Sequence, residues 1–188
     1  MSRPRQFDET NALEGAMVMF WTRGYAATNL PDLLDAMSLT RGSFYKAFTD
    51  KHSVYLRAIQ HYGDTRMTTA VALLTNAANG TPRQRLTDFF LRTEYHTAKP
   101  SRTAGCFICN AIVELGPTDP VAVIACDRIL NRLTDALESV VREIHPDISD
   151  PIARQKAQML KRLYLGSHAM GRMGGSFKDW ETTLSELV

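Results

Sequence analysis

Leu39-Thr40-Arg41-Gly42-Ser43-Phe44-Tyr45-Lys46-Ala47-Phe48 reads as one short helix with both faces assigned. The Thr40 hydroxyl can accept from free N–H groups two or three residues on, which predicts an N-cap and a helix over Arg41 to Phe48. Phe44 and Phe48 stand at i and i+4 and form one apolar stripe that belongs in a core. Arg41, Gly42, Ser43, Tyr45 and Lys46 are left for the other side. Toward the N-terminus, Pro31 suits the first turn of a short helix whose apolar face is Leu33, Leu34 and Met37 and which stops near Ser38. Farther back, Leu13, Ala16, Met17 and Phe20 fall at i, i+3, i+4 and i+7, a buried stripe on a helix from about Phe7 to Arg23 that ends at Gly24. Phe20, Trp21 and Tyr25 supply the remaining walls of the same core. Three short helices, the last two joined by a tight turn, have helix-turn-helix geometry, in which the third helix enters the major groove of DNA.

The same spacing continues toward the C-terminus and predicts an all-α chain. Asp50 caps a longer connector helix from Lys51 to about Asn76. Asn79, Gly80, Thr81 and Pro82 break the pattern, and a helix carrying Leu86, Phe89, Phe90 and Thr93 ends before Lys99 and Pro100. Thr103 is the expected cap of a helix over Ala104 to Leu115, and Asp119 with Pro120 begins a long helix to about Ile144. The last two helices run from Asp150 to about Met173 and from Phe177 to the C-terminus. The expected division is a helix-turn-helix domain over residues 1–50 and a second helical domain over 51–188.

Composition removes several function classes. The chain has 188 residues, 44% of them hydrophobic and 22% charged, which is a globular balance with length for a full core. Twenty-two Lys and Arg against twenty Asp and Glu give a net charge of +2, and residues 1–60 carry seven basic against six acidic, so net charge names no partner. No stretch approaches the ~18 apolar residues of a membrane span. Asp8, Glu9 and Glu14 follow Arg3 and Arg5 where a secretory leader needs its apolar segment, so the expected location is the cytoplasm. An odd count of three cysteines predicts free thiols.

The run Gly24-Tyr25-Ala26-Ala27-Thr28, the stretch from Leu39 to Phe48, and Asp50-Lys51 resemble the DNA-binding domain of the tetracycline-repressor-like (TetR) family over about residues 7 to 56. Ser38 stands where that family's turn usually has Gly, Asp50 where Ser or Asn is common, and His52 where an acid is common. The resemblance implies a homodimeric DNA-binding regulator, a repressor, that binds two-fold-symmetric operator DNA and takes a small-molecule effector, with no cofactor. It points to Thr40, Arg41, Gly42 and Ser43 at the recognition helix, where Gly42 permits close approach and Arg41 and Ser43 can reach base edges or phosphate. Tyr45, Lys46, Lys51 and Thr28 are the expected phosphate contacts, and Arg3 and Arg5 a basic arm. Lys46 and Lys51 also read as plain solvated charges.

In the second domain, Cys106 and Cys109 form a C-x-x-C at the expected third position of the helix capped by Thr103, where free N–H groups favour a thiolate. Arg102, His168 or Arg172 stand as candidates to assist. The segment Gly105-Cys106-Phe107-Ile108, with Leu163-Tyr164-Leu165-Gly166 and Ser176-Phe177, resembles the branch of the family in which a cysteine after glycine senses electrophiles or oxidants. Cys106 as such a sensor stands against Cys106 as a buried space-filler. In the absence of such a sensor the expected effector is a small apolar ligand, in a cavity lined by Phe89, Tyr95, Phe107, Asn110, Glu114, Tyr164 and His168, with Glu114 requiring a ligand, Arg or His. Gly166, Ala169, Met170, Met173, Phe177, Trp180 and Leu184 are the expected dimer interface, with internal core as the alternative. A metal site is not expected, because no four-ligand motif is present. Two other function classes remain: a thiol oxidoreductase using Cys106 and Cys109, and a ligand-binding helical dimer that does not touch DNA.

Overall fold

The backbone at Ser38 adopts φ 53°, the left-handed conformation for which the turn lacks its glycine. Either side of it lie α2 (Leu30–Ala36) and α3 (Arg41–Ala47), and both are capped as their sequences require. Asn29 accepts from the Asp32 N–H, and Thr40 from the Ser43 N–H at 3.2 Å. Helix α1 (Glu9–Arg23) starts at Asp8, whose carboxylate accepts from Thr10 and Asn11, and it ends at Gly24. These elements come from a computed structural model that describes residues 8–95, 103–174 and 179–188, the side chains of 93–95 excepted. Arg3, Arg5, Arg102, Ser176 and Phe177 lie outside the described residues, as does the Tyr95 side chain.

The chain then passes through α4 (Lys51–Tyr62), α5 (Thr68–Thr75), α6 (Pro82–Tyr95), α7 (Phe107–Leu115), α8 (Pro120–Ile144), α9 (Asp150–Gly171) and α10 (Trp180–Leu187). The described residues contain helices and no strand, in accord with the all-α expectation. No helix among them is long and apolar enough to cross a membrane. The expected unbroken connector from Lys51 to Asn76 is interrupted by a π-helical segment, Gly63–Met67. Such a wide turn releases a carbonyl from the α pattern. The Gly63 carbonyl accepts from Thr68 Oγ1 at 3.1 Å and from the Arg132 guanidinium of α8 at 3.3 Å.

Two expectations about the helices are corrected. Thr103 does not cap α7: the helix begins at Phe107, and Cys106, with extended backbone at ψ 130°, occupies the cap position rather than the third helical position. Trp180 and Leu184 do not face outward either. They are 1% and 3% exposed within the chain, Trp180 lying 4.6 Å from Phe90 of α6 ring to ring. Helix α9, by contrast, has two faces. Leu160, Tyr164 and His168 point inward, while Ile152, Met159 and Met170 are 46%, 45% and 50% exposed, with Gly166 and Ala169 on the same outer side, and Met173, in the turn just after the helix, is 79% exposed.

The core is continuous from α1 to α9. Phe20 and Trp21 of α1 meet Tyr55 and Tyr62 of α4 edge to face at 4.9 and 5.2 Å, and Phe107 of α7 packs on Trp21, Tyr55 and Tyr62. Burying one such ring stabilises by about 1.5–3 kcal/mol, so these rings bind the N-terminal helices firmly to the remainder. The expected boundary at residues 50 and 51 falls at the capping box in which Asp50 and Ser53 exchange hydrogen bonds.

The left-handed turn yields a stability test. A side chain in this conformation costs about 1–2 kcal/mol, and glycine returns about 0.5–1 kcal/mol of that through the unfolded chain. Ser38→Gly is therefore expected to raise stability by less than about 1 kcal/mol, and Ser38→Val to lower it by about 1 kcal/mol or more, since a β-branched residue tolerates positive φ worst. Urea unfolding midpoints measure both. A valine variant as stable as the parent would show that the turn is not held left-handed.

Candidate functional site

Helix α3 presents one apolar and one polar face. Phe44 and Phe48 are 0% and 3% exposed, while Arg41, Gly42, Tyr45 and Lys46 face solvent. A Cβ built at Gly42 meets nothing within 4 Å. No internal packing therefore requires glycine there, and any steric demand on this position comes from something docked outside. Thr40 Oγ1 donates to Ser43 Oγ at 3.0 Å, which fixes both hydroxyls at the start of the helix.

Thr28 and Lys51, expected at phosphate, have other work. Thr28 is 1% exposed and its hydroxyl donates to the Gly24 carbonyl at 2.7 Å. The Lys51 ammonium donates to the carbonyls of Tyr25 and Thr28, each at 2.8 Å, and lies 4.2 Å from the Tyr25 ring centroid. Both side chains hold the α1–α2 turn rather than pointing outward.

Glu114, expected in the effector cavity, closes the same turn from α7. Its carboxylate accepts from the backbone N–H of Tyr25 at 2.8 Å and of Ala26 at 2.7 Å. It needs no ligand, Arg or His, because two main-chain donors satisfy it. Gly24 has φ 85°, and a Cβ there would lie 2.9 Å from Glu114 Oε2. Asn110, another expected lining residue, instead donates to the Ala104 carbonyl at 2.9 Å, which also accepts from Trp21 Nε1 at 3.1 Å. Phe107 is 1% exposed within the aromatic cluster already described. A second bridge joins His52 at the start of α4 to Asp119 at the start of α8, at 2.6 Å. The Ala122 N–H, and then His52, hold Asp119 below its ordinary carboxylate range.

A cavity of about 420 Å³ opens between α1, α4, α5, α6 and α9. Of the expected lining, Phe89, Tyr164 and His168 are present; Trp21, Tyr62, Met67 and Leu73 add apolar wall. Sequence reasoning missed its polar members, Arg66, Thr69, Asn76, Asn79 and Arg92. Arg66 sits in the π-helical segment, where a regular helix period would have aimed it elsewhere. Its guanidinium pairs with Glu14, which also bonds His61 at 2.9 Å.

Cys106 lies behind this cavity, 1% exposed. Its sulfur is 3.5 Å from the Tyr62 hydroxyl and 3.9 Å from the Tyr164 hydroxyl, and both tyrosines line the cavity. Burial holds both phenols well above their ordinary range, so they stay protonated. Cys109 contacts the Leu165 carbonyl at 3.8 Å, and burial pushes its thiol up to about 11. Cys126 is pushed up to about 12, also by burial. A dithiol reaction needs a thiolate, and Cys109 offers almost none at neutral pH. Arg172 packs against Gly105, its Cγ 3.1 Å from where a Cβ would stand. Among the described residues no group of three or more His, Cys, Asp and Glu is arranged to hold a metal ion.

The profile of the bacterial regulatory proteins of the tetR family matches residues 12–58. The HTH-type transcriptional regulator YezE of Bacillus subtilis is 29% identical over 136 residues, 72% of this chain and 69% of that protein. The HTH-type transcriptional repressor NemR of Escherichia coli is 25% identical over 172 residues, 88% of this chain and 84% of NemR. The structure of its reduced form superposes with a TM-score of 0.79 at 19% identity, covering 96% of this chain and 95% of NemR. A cysteine variant of the TetR family regulator CifR, complexed with double-strand operator DNA, gives 0.80 at 21% identity over 98% and 97% of the two chains. At such identities the structural likeness is one of fold. These relatives are transcriptional regulators, not enzymes.

Two tests follow from the clamps. Glu114→Ala leaves two N–H groups to water and is expected to cost about 1–2 kcal/mol, with amide exchange at Tyr25 and Ala26 accelerated. Unchanged exchange would show that the clamp is not closed in solution. Asp119 is depressed in the folded state, so its stabilisation is complete above the unfolded carboxylate range and is lost as pH falls through that range to the folded value. Asp119→Asn keeps a capping acceptor and is expected to flatten the acid limb of the stability curve; an identical limb would exclude the contribution.

Proposed function

We propose, on the premise that the chain belongs to the tetR family of bacterial regulatory proteins, that it is a homodimeric operator-binding repressor of the cytoplasm that releases DNA when a small molecule occupies its cavity. The observation that carries the reading is the outward face of α3, where Arg41, Tyr45 and Lys46 surround a glycine with open space before it. Arg41 and Ser43 are assigned to base edges, Thr40, Tyr45 and Lys46 to phosphate, and Gly42 to close approach. The outer stripe of α9, with Gly166, Ala169 and Met170, is assigned to the dimer contact together with Met173 just beyond the helix. Small residues there let two copies of the helix approach closely, and a two-fold dimer places two α3 helices one DNA turn, about 34 Å, apart.

Signal and response share residues. Trp21 is at once cavity wall and part of α1, and its indole N–H holds Ala104 just ahead of α7. A ligand that moves Trp21, Tyr62 or Tyr164 displaces the start of α7. That helix carries Glu114 about 12 Å further on, at a rise of ~1.5 Å per residue, where it grips the α1–α2 turn. A rigid-body shift of α7 thus changes the spacing of the recognition helices, with a coupling on the order of 1–3 kcal/mol.

The contact of Cys106 with two cavity-lining hydroxyls favours a second input at the same place. A small α,β-unsaturated electrophile entering the cavity would add to the sulfur: the S–C bond forms, the C=C π bond breaks, and the thiol proton ends on the neighbouring carbon. The bulk of the adduct then separates Tyr62 from Tyr164.

Gel-shift titration against the DNA upstream of the protein's own coding sequence tests the reading. Arg41→Ala and Lys46→Ala are each expected to weaken binding about ten-fold with folding intact, the lysine variant also lowering the salt dependence by about one counterion. Parent-like binding by both would remove α3 as the recognition helix. With N-ethylmaleimide, loss of binding in the parent and its retention in Cys106→Ser is expected for the thiol input; equal loss in both would reject it.

A further inference from the structure

Charge among the described lining residues of the cavity is one-sided. Arg66 and Arg92 line it, together with Thr69, Asn76 and Asn79, and neither Asp nor Glu appears among the described lining residues. Both Arg66 and Arg92 have capacity to spare. Arg66 gives a terminal N–H to Glu14, yet its Nε is buried without a hydrogen-bond partner. Leaving a desolvated donor unpaired is costly, and an anionic oxygen relieves that cost most fully, since charge-assisted bonds are the strongest a guanidinium makes. Arg92 is exposed and pairs with no carboxylate among the described residues. The rings of Trp21, Tyr62, Phe89 and Tyr164 line the same cavity. The volume of about 420 Å³ falls in the lower part of the usual small-molecule range of ~300–1,000 Å³.

We infer that the effector is a small organic acid, with an aromatic or compact apolar body against the ring wall and a carboxylate directed to Arg66 and Arg92. This deepens the reading of the cavity as the effector site and rests on it. A carboxylate has two acceptor oxygens, and the two guanidinium groups that line the cavity supply N–H donors of the matching charge. The asparagines and Thr69 leave room for a polar substituent on the body. A neutral analogue of the same shape keeps the ring contacts and leaves the Arg66 Nε unanswered.

The test uses the full chain and matched pairs of acid and primary amide: benzoate, 3-phenylpropionate and 2-naphthoate against benzamide, 3-phenylpropionamide and 2-naphthamide. Binding is read by calorimetry and by tryptophan fluorescence. At least one acid is expected to bind ten-fold or more tightly than its amide, with the preference reduced at least five-fold in Arg92→Gln. Arg92 is exposed, so Arg92→Gln is expected to keep the parent's thermal midpoint, and Arg66→Met provides a second site. Acid and amide binding alike, no acid of the panel binding, or an acid preference untouched in both variants would overturn the inference. Operator release by a neutral ligand would overturn it while keeping the regulator; absence of operator binding by the free protein would remove the regulator while leaving acid binding to stand or fall by itself.

Discussion

Five residues, Gly24 to Thr28, leave α1 and enter α2 with backbone groups that no helix can satisfy, and the fold closes around meeting that demand. Glu114 takes the N–H groups of Tyr25 and Ala26. Lys51 donates to the carbonyls of Tyr25 and Thr28, and the Thr28 hydroxyl to that of Gly24. One anchor comes from α7, one from α4, and one from the turn itself. The turn that leads into α2 and α3 is thereby held by side chains of α4 and α7 as well as by its own Thr28. A domain that docks through apolar contact alone can slide; one held through directed bonds to its main chain has to move with the element that holds it.

The geometry makes α7 that element. Its first flanking residue is Cys106, pressed between two tyrosine hydroxyls at the cavity wall, and its penultimate residue is Glu114 at the turn. A noncovalent ligand and a thiol modification would therefore act on one short rod, and the two inputs need no separate pathways. The π-helical segment serves the same cavity by turning Arg66 and Met67 toward it, with Arg132 and Thr68 compensating the carbonyl it releases.

Legibility varied with the range of the physics involved. Thr40, Asp50 and Asp119 were readable as caps because a capping side chain reaches only two or three residues along its own chain. Phe44 and Phe48 were readable as core from their spacing, and Ser38 as a departure from the glycine usual in the turn of the family it resembles. Cys106 was misplaced by three positions because extended backbone from Ala104 to Cys106 carries no local signal to distinguish it from a first helical turn. Trp180 and Leu184 were indistinguishable from interface residues, since an apolar stripe does not say whether α6 or a second copy will cover it. The exposed methionines of α9 could be separated from Leu160 and Tyr164 only once the inner face was occupied.

What the sequence determined by itself is the set of helices, the helix-turn-helix with its polar outward face, and the family those residues resemble, all consequences of periodicity and caps acting within a turn or two of chain. The tertiary structure alone decided that Lys51 and Glu114 are clamps rather than a phosphate contact and a cavity wall, and that Arg66 and Arg92 share a cavity. The partners of Glu114 lie 89 and 88 residues away, and those of Lys51 lie 26 and 23 residues away. Such pairings are set by which backbone groups remain unsatisfied after the helices pack, and no local pattern records them.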